Sequence, residues 1–150
     1  MARQFVIHAE RARGLMVLVD TTVWVDLFSG LTTPQVTTLE LLIAQREDIC
    51  LCGVVLTEVL QGIRDAGEHA KVQAIFSNLL FLPMTRETFL LAAHIYRSLR
   101  ARGITLRNSI DCMIASVCIE NKVALLHNDR DFDPILKHFD LKIGNPSPRF

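Results

Sequence analysis

The sequence lacks net charge, membrane-length apolar runs and a recognisable secretion leader, and it is sparing with cysteine. Sixteen Lys+Arg balance sixteen Asp+Glu over 150 residues. A balanced chain does not coat nucleic acid nonspecifically, although a local basic rim fits that total. No apolar run approaches the roughly 18 residues of a transmembrane helix, so a protein free of the membrane is expected. Residues 1–15 (MARQFVIHAERARGL) are broken by charges, which argues against a signal peptide and for a cytoplasmic protein. The four cysteines, Cys50, Cys52, Cys112 and Cys118, lie in apolar stretches. The Cys50-x-Cys52 spacing lacks the repeated or histidine-backed pattern of a zinc site, so buried thiols are the expectation.

What is present is apolar. Half of the residues are hydrophobic and 21% are charged. That is too apolar for a disordered chain and enough to bury a core in one domain. Residues 1–15 carry Arg3, Arg11 and Arg13 against Glu10 alone. They are expected to form an N-terminal extension, disordered or upstream of the native start, with a short ordered arm as the alternative. Residues 16–143 are expected to form the domain, and 144–150 (GNPSPRF) a C-terminal tail.

Short apolar runs alternate with longer helical patterns. The runs place strands at 16–19, 49–52, 80–82, 123–126 and 141–143. The helical patterns fall at about 22–30, 33–45, 54–63, 68–79, 85–102, 109–121 and 133–138. Pro34 after Thr33 suits a first helical position, Gly103 suits a helix end, and Asn108 or Ser109 suits a cap. Such alternation implies parallel strands and an α/β layer fold.

Four acids then fall at one edge of that sheet. Asp20 follows the first strand and Asp129 follows the strand at 123–126. Glu58 lies early in the helix leaving the second strand, and Asp111 lies in the first turn of the helix at 109–121. The carboxyl edge is where open α/β sheets build their sites. Two carboxylates about 4 Å apart repel by roughly 4 kcal/mol at an effective dielectric near 20. Four together protonate in part unless a cation joins them, and oxygen-only acidic pockets suit Mg²⁺ or Mn²⁺. A divalent ion there would serve metal-assisted phosphodiester hydrolysis. Each acid also has an ordinary explanation. Asp111 can favour a helix start, Glu58 can be a surface acid opposite Arg64, and Asp129, Asp131 and Asp133 can be turn formers. Asp20 is the hardest to explain away, because it closes an apolar strand where an unpaired charge is costly.

At these residues the chain resembles the PIN-domain ribonucleases, and within them the VapC-type toxins of bacterial toxin–antitoxin pairs. The matching pieces are Leu18-Val19-Asp20-Thr21-Thr22-Val23-Trp24, Thr57-Glu58-Val59-Leu60-Gln61-Gly62, Ser109-Ile110-Asp111-Cys112-Met113-Ile114-Ala115 and Leu126-His127-Asn128-Asp129-Arg130-Asp131-Phe132. They come in the family's order over about residues 16–143. The resemblance implies a three-layer α/β/α sandwich around a central parallel sheet, and an acidic Mg²⁺/Mn²⁺ site that cuts RNA. It implies Asp20, Glu58, Asp111 and Asp129 as the site acids, Asp131 as a further acid, and Thr22 as the hydroxyl that orients water. Asp20 and Asp111 are the foremost metal ligands on this reading, and either Asp129 or Asp131 is the next. Homodimers, and a small VapB-like antitoxin that covers the pocket in a heterotetramer or larger assembly, are implied as well. The extension at 1–15 departs from the family pattern, in which the first strand begins almost at the start.

Other features have two readings each. Residues 91–110 contain Arg97, Arg100, Arg102 and Arg107 and no acid, which makes either a phosphate-positioning rim or a solvated face. Arg107, with Arg130 beside Asp129, is the preferred RNA contact. His127 can assist proton transfer or hold structure, with structure favoured. Trp24, Leu27 and Phe28 can form a surface for a partner, but their helical spacing favours the core. A phosphatase of the haloacid dehalogenase type needs a second acid where Thr22 stands. A housekeeping RNA-processing nuclease and a catalytically weak repressor-complex component share the fold and remain the rival functions.

Overall fold

The computed structural model describes residues 16–144. The extension at 1–15 and residues 145–150 of the tail lie outside the described residues. Four strands, β1 (Val17–Val19), β2 (Ile49–Cys52), β3 (Leu80–Leu82) and β4 (Ala124–Leu126), form one sheet in the order β3-β2-β1-β4. Every pairing is parallel, with Val17 opposite both Ile49 and Ala124, and Cys50 opposite Leu80. β1, β2 and β4 are buried throughout, so they read as continuous apolar runs, as a sheet covered on both faces requires. β3 is one of the two edges, and its Phe81 is exposed.

Among the described residues seven α-helices accompany the sheet: α1 (Thr21–Phe28), α2 (Pro34–Ala44), α3 (Gly53–Gln61), α4 (Ala66–Phe76), α5 (Arg86–Ala101), α6 (Ile110–Asn121) and α7 (Asp133–His138). The β1–β2 and β2–β3 crossovers step one way across the sheet and β3–β4 steps back past β1. Right-handed crossovers therefore put α1–α4 and α5–α6 on opposite faces, the expected three-layer sandwich. The direction reverses between β1 and β4, so a crevice opens at the carboxyl ends of those two strands.

Local chemistry sets the helix starts. Thr33 caps α2 by accepting from Val36 N at 3.0 Å, with Pro34 in the first turn. Asp65 caps α4 by accepting from Glu68 N at 2.8 Å, which starts that helix earlier than its apolar pattern suggests. Asn108 Oδ1 accepts from Ile110 N at 2.9 Å at the head of α6. Gly103 takes a positive φ of 80° just past α5, the backbone expected of a helix end.

The core runs through both faces of β1. Trp24 on α1 is 1% exposed and stacks with Phe28 at 5.7 Å and edge-on with Phe76 of α4 at 5.0 Å. Trp24 is thus interior, as its helical spacing favours. All four cysteines are buried and free, and burial pushes the thiols up, to about 12 for Cys50 and about 11 for Cys52 and Cys112. They pack as neutral apolar groups. The fifth strand expected at 141–143 is corrected to a single parallel bridge, Leu125 to Ile143. Leu125 N donates to Lys142 O and Gly144 N donates to Leu125 O, both at 2.8 Å. Leu141 N is still held by the Phe139 turn, so the segment has no length left for a ladder. Among the described residues no helix is long and apolar enough to cross a membrane.

Candidate metal centre

The crevice is built from four turns. The first leaves β1. Asp20 directly follows β1 and is the N-cap of α1, and its Oδ2 accepts from Thr22 N at 3.1 Å and from Thr22 Oγ1 at 2.6 Å. Only 3% of Asp20 is exposed. Burial raises its pKa; the Thr22 and Thr21 hydrogen bonds oppose that rise and the Glu58 charge adds to it. Thr22 Oγ1 also accepts from Asn128 N at 3.1 Å. One hydroxyl therefore ties the turn after β1 to the turn after β4.

The second turn brings in α3. Glu58 is half-buried, and its Oε1 accepts from Thr21 Oγ1 at 2.7 Å. The contact pins Glu58 toward the crevice, and among the described residues it forms no ion pair with Arg64. The third turn is the head of α6, which buries Asp111. Its carboxyl is pushed up to about 7, first by burial and then by the charges of Asp20, Asp129, Asp131 and Glu58. A group that feels four acids from three other segments marks the point where they converge.

The fourth turn follows β4. Asp129 caps a short 3-10 turn, Arg130–Phe132, which the sequence patterns do not reveal, and its Oδ1 accepts from Asp131 N at 2.9 Å. Asp111, Asp129 and Asp131 each offer a carboxylate oxygen, all within 4.8 Å of one another. Asp20 and Glu58 adjoin this group electrostatically without sharing that 4.8 Å cluster. His127 is buried with its ring against Phe132 at 4.9 Å, and its Nδ1 accepts from Asp129 N at 3.2 Å. Burial lowers its pKa, and a neutral ring that receives a backbone N–H is a brace for the Asp129 turn.

The basic residues divide. Arg107 reaches into the crevice, with Nε 2.9 Å from Asp131 Oδ2 and Nη2 3.6 Å from Asp129 Oδ1. Arg97, Arg100, Arg102 and Arg130 are exposed and form no ion pair among the described residues. Arg100 lies over the Tyr96 ring at 5.8 Å. Two partners escape a reading of the sequence. Thr21 holds Glu58, and Asp26 of α1 accepts from Asn128 Nδ2 at 3.4 Å. The adjacent hydroxyls in Asp20-Thr21-Thr22 are the signal for the first, since each points a donor at a different acid.

The donor set fits a hard divalent cation. It is all oxygen, and burial together with the neighbouring carboxylates pushes the pKa of its most buried member, Asp111, up to about 7, a strain that a bound cation would relieve. Residues 17–135 match the PIN domain family. The chain is 32% identical over 134 residues to ribonuclease VapC11 of Mycobacterium tuberculosis and to VapC ribonuclease Mb1587 of Mycobacterium bovis, covering 87% of this chain and 98% of each relative. Its fold is similar to a solved VapBC2 complex from Rickettsia felis bound to a DNA fragment from their promoter, with a TM-score of 0.70, 21% identity and coverage of 87% of this chain and 98% of that one. The chain belongs to the PIN-domain family of metal-dependent nucleases, in its VapC ribonuclease branch.

Proposed function

We propose that the chain is an Mg²⁺- or Mn²⁺-dependent endoribonuclease, the toxin of a toxin–antitoxin pair, that hydrolyses RNA phosphodiester bonds at the acidic crevice. The observation that carries the reading is the convergence of four further acids, Asp20, Glu58, Asp129 and Asp131, on the buried Asp111, with Asp111, Asp129 and Asp131 offering oxygens within 4.8 Å of one another. Asp111, Asp129 and Asp131 are the residues to hold the ion, with Asp20 and Glu58 completing the acidic wall. The ion would supply Lewis-acid charge at the phosphate and make a coordinated water more acidic. Thr22 keeps Asp20 aimed into the crevice and locks the Asn128 turn beside it. Glu58, half-buried and held by Thr21, is placed to accept a proton at Oε2, since Oε1 is engaged. Arg107 and Arg130, at the rim, are the contacts for RNA phosphates.

The relatives named as VapC ribonucleases support RNA as substrate. The VapBC2 likeness supports a VapB-like antitoxin as partner; the proposal adds a homodimer that assembles with it into a heterotetramer or larger complex in the cytoplasm. The test is cleavage of RNA by the purified full chain. Cutting is expected to require Mg²⁺ or Mn²⁺, to stop with EDTA, and to fall about a hundredfold or more in Asp20→Ala and Asp111→Ala. Cells expressing the chain are expected to stop growing, and cells expressing either variant to grow. Equal cutting by either variant overturns the site.

A further inference from the structure

Arg107 stands in an unusual place for a residue that meets RNA. Its guanidinium spans Asp131 at 2.9 Å and Asp129 at 3.6 Å, two of the three acids whose oxygens cluster within 4.8 Å. We propose that Arg107 is a built-in counter-ion of the acidic centre, which competes with the divalent cation for Asp129 and Asp131 and is handed over to an RNA phosphate when the cation binds. The inference rests on the acidic crevice being the metal site and goes on to say how that site is regulated.

Three observations carry it. The first is shared carboxylates. A planar guanidinium can bridge two carboxylates, and a dication in the cluster draws on the same Asp129 and Asp131 groups, so the two cations oppose each other by charge. The second is freedom to leave. The Arg107 side chain is 77% exposed, and it sits on the irregular segment between α5 and α6. Its base is fixed on either side, by Leu106, which is 4% exposed, and by Asn108, which holds Ile110 N. The side chain can therefore swing away without loss of core packing. The third is where it goes. Residues 91–110 contain no acid, and Arg97 and Arg100 of α5 and Arg102 at its C-cap are exposed. A released Arg107 finds no other carboxylate in that stretch of sequence, which leaves it free to meet a phosphate. Cation binding thereby creates a phosphate contact at the lip of the site, so metal and RNA favour each other's binding.

The test is metal binding, measured by titration calorimetry of Mn²⁺ into the full chain, R107Q, R107K and D111N, without RNA. R107Q is expected to bind Mn²⁺ about fivefold more tightly than the unmodified chain, the size expected of an exposed ion pair. R107K, which keeps the charge without the two-pronged contact, is expected in between, and D111N to bind weakly. A second readout is the Arg107 Nε–H proton in NMR spectra. Its exchange with water is expected to be slow in EDTA and to speed up on saturation with Mg²⁺. Mn²⁺ affinity that is unchanged or weaker in R107Q, with binding still lost in D111N, overturns the counter-ion alone. An Nε–H signal that stays protected under saturating Mg²⁺ overturns it as well. No Mn²⁺ uptake by any of the four proteins overturns the metal site and this inference together.

Discussion

Val19 and Asp20 are neighbours in sequence and belong to two different kinds of interior. Val19 is 0% exposed in a sheet that is apolar on both faces, while Asp20 is 3% exposed and carries a carboxylate. The region behind β1 is closed by Trp24, Phe28 and Phe76, whose contacts all favour folding. The region in front of it gathers Asp20, Glu58, Asp111, Asp129 and Asp131, whose mutual repulsion opposes folding. The first region has to be strong enough to hold the second together. Three of these acids are braced by a neighbour: Asp20 by Thr22, Glu58 by Thr21 and Asp131 by Arg107.

That contrast predicts opposite signs for substitutions a few residues apart in the fold. Trp24→Ala empties the aromatic cluster and is expected to cost about 3–5 kcal/mol in urea denaturation, the largest effect of any substitution considered. A cost below about 1 kcal/mol would mean that the apolar region does not bear the strain of the acids. Asp111→Asn is expected to do the reverse in EDTA. The folded-state carboxyl titrates at about 7, above its ordinary 3.8, so the folded chain binds more protons than the unfolded one between those values. The unmodified chain therefore loses stability as pH rises through that window. The Asn variant escapes the loss, and its advantage is expected to be absent below pH 4 and to reach about 1–2 kcal/mol by pH 8, allowing for solvent screening. Saturating Mg²⁺ is expected to remove the advantage, since the ion stabilises only the chain that binds it. A stability difference independent of pH would sink the electrostatic account.

Much of this division was legible before any coordinates. Ile49–Cys52 and Leu80–Leu82 are read to the residue from their apolar runs, the second stopped by Pro83, and Asp20 and Asp129 follow from where the runs at 16–19 and 123–126 end. Asp111 is found by placing a helix start at the sheet's carboxyl edge. The rest depends on contacts that sequence spacing does not encode. Arg107 is read from the sequence as facing RNA, yet it also pairs with Asp131, 24 positions away. The turn at Arg130–Phe132 is short and lacks a periodic pattern, and the segment 141–143 is β-like in composition but too short to pair beyond one bridge. Thr21 is overlooked beside Thr22 because only the folded turn shows that adjacent hydroxyls serve different acids.

Arg130 sharpens the comparison at its outer margin. It sits between Asp129 and Asp131 in sequence, but it is exposed and pairs with no acid among the described residues. If the acidic crevice and its rim are separable, Arg130→Ala should leave Mn²⁺ affinity unchanged and weaken RNA binding only slightly. The loss should be uniform across RNA sequences, because a phosphate contact carries no base information. The salt dependence of RNA binding should fall by about one unit of slope, the signature of one fewer phosphate neutralised. Fluorescence anisotropy with a short RNA at several salt concentrations measures both quantities. An unchanged slope would move Arg130 off the RNA path, and a changed Mn²⁺ affinity would show that rim and crevice are one electrostatic unit.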